Sequence, residues 1–127
     1  MPKRDQQALA PPALDDRRLR LVMQFIRANL KNDIRLKDLA KVANLSQFYF
    51  ARAFRKATGE TPHRFVRGCR LEQAKDLLAE DDMSLAEIAL ACNFSSQSSF
   101  TRAFTRAFGV APGKFRESTN LRARARS

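Results

Sequence analysis

Residues 50–65, FARAFRKATGETPHRF, return fifty positions later as FTRAFTRAFGVAPGKF at residues 100–115. The two stretches share a stripe of Phe and Ala, then a Gly, and then a Pro three residues after the Gly. Apolar residues at spacings of three and four predict a helix, Gly stops a helix, and Pro is common in a first helical turn. The repeat therefore predicts one helical unit that occurs twice.

Each stretch follows a shorter helical pattern and a tight turn. LKDLAKVAN at 36–44 and LAEIALACN at 85–93 each end in Asn, which an apolar residue and a Ser follow. Asn tolerates left-handed backbone and Ser caps a new helix, so we expect Ser46 and Ser95 to begin second helices. The copies align at an offset of 49 before the turn and 50 after it, which places one extra residue in SSQSS.

A short helix, a turn and a second helix within about 20 residues form the helix-turn-helix plan. The second short helix opens with Ser84 and Glu87, the spacing of a capping box. Between the copies, residues 61–80 contain no turn signal except Gly68, which predicts one long helix of on the order of 18 residues. Such a helix would hold two units at a fixed separation.

The chain around the repeat divides by composition. Apolar residues at helical spacing from Leu19 to Leu30 predict an amphipathic helix that ends near KND, residues 31–33. The Pro-, Ala- and Gln-rich start is expected to be disordered, and the basic end LRARARS to be without structure. The predicted boundaries are 1–14 for the N-terminal tail, 15–118 for an all-α domain with units 15–60 and 81–118 joined by 61–80, and 119–127 for the C-terminal tail.

Composition favours a polyanionic partner. The formal net charge is +11, and residues 15–118 alone hold 19 basic against 12 acidic residues, so nucleic acid is favoured over a membrane surface. Cys69 and Cys92 lack the spacing of a disulfide framework or a zinc site, and no metal or other cofactor is expected. No apolar run is long enough for a signal peptide or a membrane span, which favours a reducing cytosol.

The outward face of each second helix carries the candidate DNA contacts. Between residues 47 and 58, and again between 96 and 108, no Asp or Glu occurs, although a solvated helix face usually mixes both signs. Arg holds guanine O6 and N7 with two hydrogen bonds, and Gln, Ser and Thr bond base edges. The predicted base contacts are Phe48, Ala51, Arg52, Arg55, Gln97, Ser98, Thr101 and Arg102, to which the family resemblance given below adds Ser99.

Neighbouring polar residues are candidates for phosphate contacts. Pro62 and Pro112 predict helix N-termini beside the second helices, where backbone N–H groups suit phosphate oxygens. The predicted phosphate contacts are Ser46, Gln47, Lys56, Thr61, His63, Arg64, Ser96, Thr105, Arg106 and Lys114. Alternatives stay open for several residues: Phe48 packs on its own unit or meets a thymine methyl, and the Ser98, Ser99 and Thr101 hydroxyls contact DNA or serve only the helix cap.

These motifs resemble the DNA-binding domain of the AraC/XylS family of bacterial transcription regulators. The match runs from about residue 17 to 118 and includes the G-x-x-P-x-x-F run of both copies and the F-x-x-x-F-x-R-x-F pattern of the second. The resemblance implies seven helices in two helix-turn-helix subdomains joined by a long helix. It also implies that two recognition helices enter successive major-groove segments of promoter DNA. The family resemblance further implies no catalytic residues and a cytoplasmic, nucleoid-associated location. RNA polymerase is implied as the protein partner, with the chain acting as an activator.

The chain departs from the family in two respects. Small members of the drug- and stress-response type often have Trp and Gln where this chain has Phe48 and Ala51, so their target sequence is not transferred. Only about 14 residues precede the domain. The chain is therefore expected to act either as a monomer on DNA or as the DNA-binding half of a larger, ligand-responsive regulator.

Two rival classes remain. A non-specific architectural protein would use charge and DNA bending without choosing a sequence. A thiol enzyme would pair Cys69 or Cys92 with His63, the only histidine; Cys92, however, replaces Ala43 of the first copy, in a position typical of the core. Regulation of transcription is therefore the leading hypothesis.

Overall fold

The fold is a series of α-helices. In the computed structural model, residues 13–80 and 82–126 are described, with side chains as far as Leu121, and every regular element among them is an α-helix. The helices are α1 (Asp16–Ala28), α2 (Leu36–Ala43), α3 (Gln47–Thr58), α4 (Pro62–Glu80), α5 (Leu85–Ala91), α6 (Gln97–Phe108) and α7 (Pro112–Arg126). The prediction of an all-α fold with about seven helices is confirmed. The chain divides into two compact units between Arg67 and Gly68, within α4.

The core of the first unit is centred on two fully buried rings of α3, Phe50 and Phe54. Their centroids lie 5.5 Å apart, and Phe65 from α4 meets Phe54 edge-on at 5.4 Å. Such pairs contribute about 0.5–1.5 kcal/mol each beyond the burial of their area. The buried residues around them come from the segment before α1 and from α1 to α4: Leu14, Val22, Ile26, Leu30, Leu39, Ala40, Ala43, Ala53, Pro62 and Val66.

The second unit repeats this core and enlarges it. Phe100 and Phe104 of α6 are fully buried with centroids 5.7 Å apart, and Phe115 of α7 meets Phe104 edge-on at 5.7 Å. Phe94 and Phe108 add two further ring contacts, at 5.4 Å to Phe100 and 4.7 Å to Phe104. The repeated Phe stripe is therefore the inward face of both second helices.

Both turns are closed by an Asn in the left-handed region. Asn44 has φ 58° and Asn93 has φ 60°. In each copy the next residue donates its backbone N–H to the carbonyl five positions earlier, at 2.9 Å. This bond ends the first helix and fixes the direction in which the chain leaves it.

The two turns differ in the residue that caps the next helix. Ser46 caps α3 through its side chain, whereas the cap of α6 is Ser96 rather than Ser95, so the expectation for Ser95 is wrong. The copies still match at an offset of 49 at Phe94, and they match at 50 from the cap onward. The extra residue therefore lies between Phe94 and the cap, where it lengthens the turn without interrupting a helix.

A capping box begins α5, as predicted. The Ser84 hydroxyl accepts from the Glu87 backbone N–H at 3.1 Å, and the Glu87 carboxylate accepts from the Ser84 N–H at 3.0 Å. The hydrogen bonds from the backbone and then the side chain of Ser84 hold the pKa of Glu87 below its ordinary value of 4.5. In the first copy, the Asp38 carboxylate accepts from the Arg35 backbone N–H at 3.1 Å. In each unit, therefore, an acidic side chain in the first turn of the first helix binds the backbone N–H of the residue before that helix.

Three predicted boundaries differ from the structure. The amphipathic helix ends at Ala28 instead of near 31–33, because the Asn29 side-chain amide donates to the Phe25 carbonyl at 2.8 Å and competes with the helical bond. The expected disorder of residues 1–14 falls mostly outside the described residues, but Leu14 is buried and its N–H donates to the Ala53 carbonyl at 3.4 Å.

The third difference is at the C-terminal end. The segment from 119 to 126, which we expected to be without structure, continues α7 to Arg126. This segment contains neither Gly nor Pro, and Leu, Arg and Ala are good helix formers. None of the helices, as far as they are described, combines the length and the apolarity needed to cross a membrane.

The glycine that ends α3 yields a stability prediction. Gly59 has φ 84°, and a Cβ built there meets no atom within 4 Å. We expect Gly59→Ala to lower the free energy of unfolding by about 1 kcal/mol, because an L side chain is disfavoured in this backbone region. Chemical denaturation measures the change.

A matched control lies inside α4. Gly68 has helical backbone and equally open space around a built Cβ, so Gly68→Ala should raise the free energy of unfolding by roughly 0.5 to 1 kcal/mol. Equal effects of the two substitutions would contradict the assignment of Gly59 to the left-handed region.

Candidate nucleic-acid interface

The side of α3 opposite its buried rings faces solvent. Phe48 is 71% exposed, Arg52 and Arg55 are exposed, and Ala51 is half-buried. Across the described part of the chain, no carboxylate forms an ion pair with either arginine. The first predicted base-reading face is therefore accessible, and its positive charge is not neutralised locally.

The outward side of α6 is polar rather than aromatic. Its exposed candidate contact residues are Gln97, Ser98, Arg102 and Thr105, and its half-buried ones are Ser99 and Thr101. The Thr105 hydroxyl donates to the Thr101 carbonyl at 2.8 Å. Thr105 can therefore offer only acceptor positions to a ligand, while the Arg102 guanidinium keeps its donors.

The serines at the N-termini of these helices have a structural task. The Ser46 hydroxyl oxygen accepts from the Tyr49 backbone N–H at 3.2 Å, and the Ser96 oxygen accepts from the Ser99 N–H at 3.0 Å. A hydroxyl that accepts in this way can still donate its hydrogen to a phosphate oxygen. Capping and the predicted phosphate contact are thus compatible at both positions.

An open groove beside the start of α3 brings in two lysines that sequence reasoning missed. Lys37 and Lys41 of α2 line it together with Ala40, Asn44, Leu45, Ser46 and Gln47. Two exposed ammonium groups one helical turn apart therefore flank a helix N-terminus that already favours anions. Their spacing of four residues on a short helix was the available signal.

The equivalent positions of the second unit are not basic. At an offset of 49, Lys37 corresponds to Ala86 and Lys41 to Leu90, which is 77% exposed. The two groove lysines are thus not repeated at the equivalent positions of the second unit.

The remaining predicted phosphate contacts lie on exposed helix ends. Lys56 and Arg106 are in the last turns of α3 and α6, and His63, Arg64 and Lys114 are exposed in the first turns of α4 and α7. Thr61 is half-buried and its hydroxyl accepts from the Arg64 N–H at 3.3 Å. Its counterpart Ala111 has no side-chain oxygen, so the two helix starts are capped differently.

One contact on the α3 face was not predicted. The guanidinium carbon of Arg52 lies 5.4 Å from the centroid of the Phe48 ring. Phe48 is 71% exposed, so its ring lies outside the buried core of the first unit and contacts Arg52 on the surface of the helix. The residue at the same place in α6 is Ser98, which has no ring.

The thiol chemistry considered for the chain does not fit Cys92. Its side chain is completely buried in the core of the second unit, and burial raises the pKa of the thiol to about 11. A buried, protonated thiol is a poor nucleophile, and the prediction of a core position is confirmed. Cys69 is half-buried in α4. Within the described residues, no three His, Cys, Asp or Glu side chains cluster in a way that could hold a metal ion.

Comparison with known proteins is consistent with this arrangement. A family model described as a helix-turn-helix domain matches residues 39–118. The probable transcriptional regulator LumQ of Photobacterium leiognathi is 40% identical over 95 residues, which cover 75% of this chain and 38% of LumQ. The chain thus spans well under half the length of that relative.

Two solved structures resemble the fold. An AraC-type transcriptional regulator from Chromobacterium violaceum has a TM-score of 0.77 at 26% identity, covering 80% of this chain and 91% of that one. The DNA-binding domain of the global transcriptional factor AdpA, in complex with a target DNA, has a TM-score of 0.76 at 30% identity, covering 85% and 96%. With two helix-turn-helix units, a matching family model and these relatives, the chain belongs to the AraC/XylS family of helix-turn-helix transcription regulators.

Proposed function

We propose that the chain is a sequence-specific regulator of transcription that binds double-stranded promoter DNA through α3 and α6, each in a major-groove segment. The observation that carries the proposal is the pair of second helices, which bury Phe and Ala on one side and expose an acid-free face with an arginine at the same position on the other. The AdpA domain, which shares the fold, was solved with its target DNA.

The chemistry of the exposed groups separates residues that recognise bases from residues that bind phosphates. Arg52 and Arg102 can each donate two hydrogen bonds to guanine, a contact that contributes about 1–3 kcal/mol of discrimination. Lys37, Lys41 and Lys114 present point charges at helix ends, which suit phosphates and carry no sequence information. The first group chooses the site, and the second supplies affinity that falls as salt rises.

The regulatory consequence is a further part of the proposal. Activation through a contact with RNA polymerase, at the bacterial nucleoid, is the mode that the family suggests for a domain of this kind. Because the chain covers 38% of LumQ, a role as the DNA-binding part of a larger ligand-responsive regulator is the second candidate. Both require the same choice of DNA sequence.

Selection of binding sites from random double-stranded DNA tests the proposal. We expect a consensus of two blocks about one helical turn apart, because two recognition helices of one chain would read separate groove segments. Recovery of sequences indistinguishable from the starting pool would overturn sequence specificity and favour the architectural alternative.

Two single substitutions distinguish base recognition from electrostatic attraction to phosphate. Arg102→Ala should relax the preference at one base pair of the selected site, at a cost of about 1–3 kcal/mol for the preferred sequence. Lys114→Ala should weaken binding to selected and random DNA alike, and lower the salt slope by about 1. Titrations with both DNAs at several salt concentrations measure these effects.

The control removes the same charge elsewhere. Arg27 is exposed in the last turn of α1, outside the proposed interface, so Arg27→Ala should leave the base preference intact. An equal loss for selected and random DNA with Arg102→Ala would contradict base reading by Arg102.

A further inference from the structure

The side chains of Phe48 and Arg52 form an exposed pair on α3. The two residues are one helical turn apart, and the guanidinium carbon lies 5.4 Å from the ring centroid, within the range of a cation–π contact. Arginine is attracted to the face of an aromatic ring both electrostatically and by stacking of its flat guanidinium.

Burial separates Phe48 from the other rings of its helix. Phe50 and Phe54 are fully buried, whereas Phe48 is 71% exposed. The core of the first unit therefore does not depend on this ring, and its contact with Arg52 is the one ring contact recorded for it among the described residues.

The pair matters because no carboxylate of the helix holds the Arg52 guanidinium, whereas the Phe48 ring lies against it. The segment 47–58 contains no carboxylate, and within the described residues Arg52 has no ion pair. An unrestrained arginine loses much side-chain entropy when it meets a base, and a guanidinium that is already oriented loses less.

The second unit has no aromatic ring at the position equivalent to Phe48. Arg102 stands where Arg52 stands in the first copy, but the position of the ring is taken by Ser98. The two arginines therefore differ in the side chain one turn before them, although their positions in the repeat are equivalent.

We propose that Phe48 is a positioning residue for base reading: its ring orients the Arg52 guanidinium before DNA binds, while Arg102 is ordered only on binding. The inference rests on the proposed function of α3 as a recognition helix. It gives Phe48 a task different from contact with a thymine methyl, because the ring acts through Arg52.

The first test uses the protein without DNA. In NMR spectra, the Arg52 side-chain protons should show a ring-current shift that Phe48→Leu removes and Phe48→Tyr retains. Ser98→Phe should create a matching shift at Arg102. Arg52 shifts that are the same with Phe and Leu at position 48 would overturn the pairing.

The second test is a double-mutant cycle on the selected DNA. Phe48→Leu keeps an apolar side chain for a thymine methyl but loses the ring, and should weaken binding by about two- to fivefold. The loss should disappear when Arg52 is already Ala, and both single variants should relax the same base pair. The equivalent cycle of Ser98→Ala and Arg102→Ala should be additive.

The outcomes distinguish the possibilities. One contrary result is that Phe48→Leu weakens DNA binding equally when residue 52 is Ala; another is that it relaxes the preference at a base pair other than the one that Arg52→Ala relaxes. Either result would show that Phe48 contacts DNA directly and would overturn the positioning role. Unfolding midpoints, expected to be unchanged for Phe48→Leu, exclude a folding defect as the cause. If the wild-type chain selects no sequence, the proposed function fails, and the NMR comparison still decides whether the ring orients Arg52.

Discussion

The burial of two Phe rings on one side of each second helix is the constraint on which the rest of the structure depends. Phe54 and Phe104 each meet a sister ring one turn earlier and a third ring from the following helix, at 5.4–5.7 Å. These contacts fix the rotation of α3 and α6 about their axes. The opposite faces are then turned away from the core, and residues on them such as Phe48, Arg52 and Arg102 are exposed.

The two units share this construction and differ in what they expose. In the first unit, Lys37 and Lys41 lie beside the start of α3, and Arg52 contacts the Phe48 ring. The second unit has Ala86 and Leu90 at the lysine positions. The groove lysines and the ring–arginine contact are thus features of the first unit that the equivalent positions of the second do not repeat. The second unit has a larger aromatic core and a face of small hydroxyl groups, which suits readout by hydrogen bonds.

Sequence alone predicted the features that repeat. The Phe and Ala stripes, the Gly stops and the long helix follow from local periodicity and turn chemistry, and the structure confirms them. The exact capping residue of α6 was harder to predict, because SSQSS contains several serines and only the backbone geometry selects Ser96. The packing of Leu14, the Lys37–Lys41 groove and the Phe48–Arg52 pair depend on contacts in space or on side-chain direction, which letter patterns do not contain.

We propose that inward residues shared by the two copies build both units, that the shared Arg52 and Arg102 read a base in each, and that the differing outward residues make the two units read different sequences. The variant Phe48→Ser, Ala51→Thr, Arg55→Thr gives α3 three outward side chains of α6, those of Ser98, Thr101 and Thr105, at positions that lie outside the buried core. Its selected binding site is the most direct measurement. We expect a native-like unfolding midpoint and a consensus whose first block changes towards the second; an unchanged consensus from the folded variant would contradict the proposal.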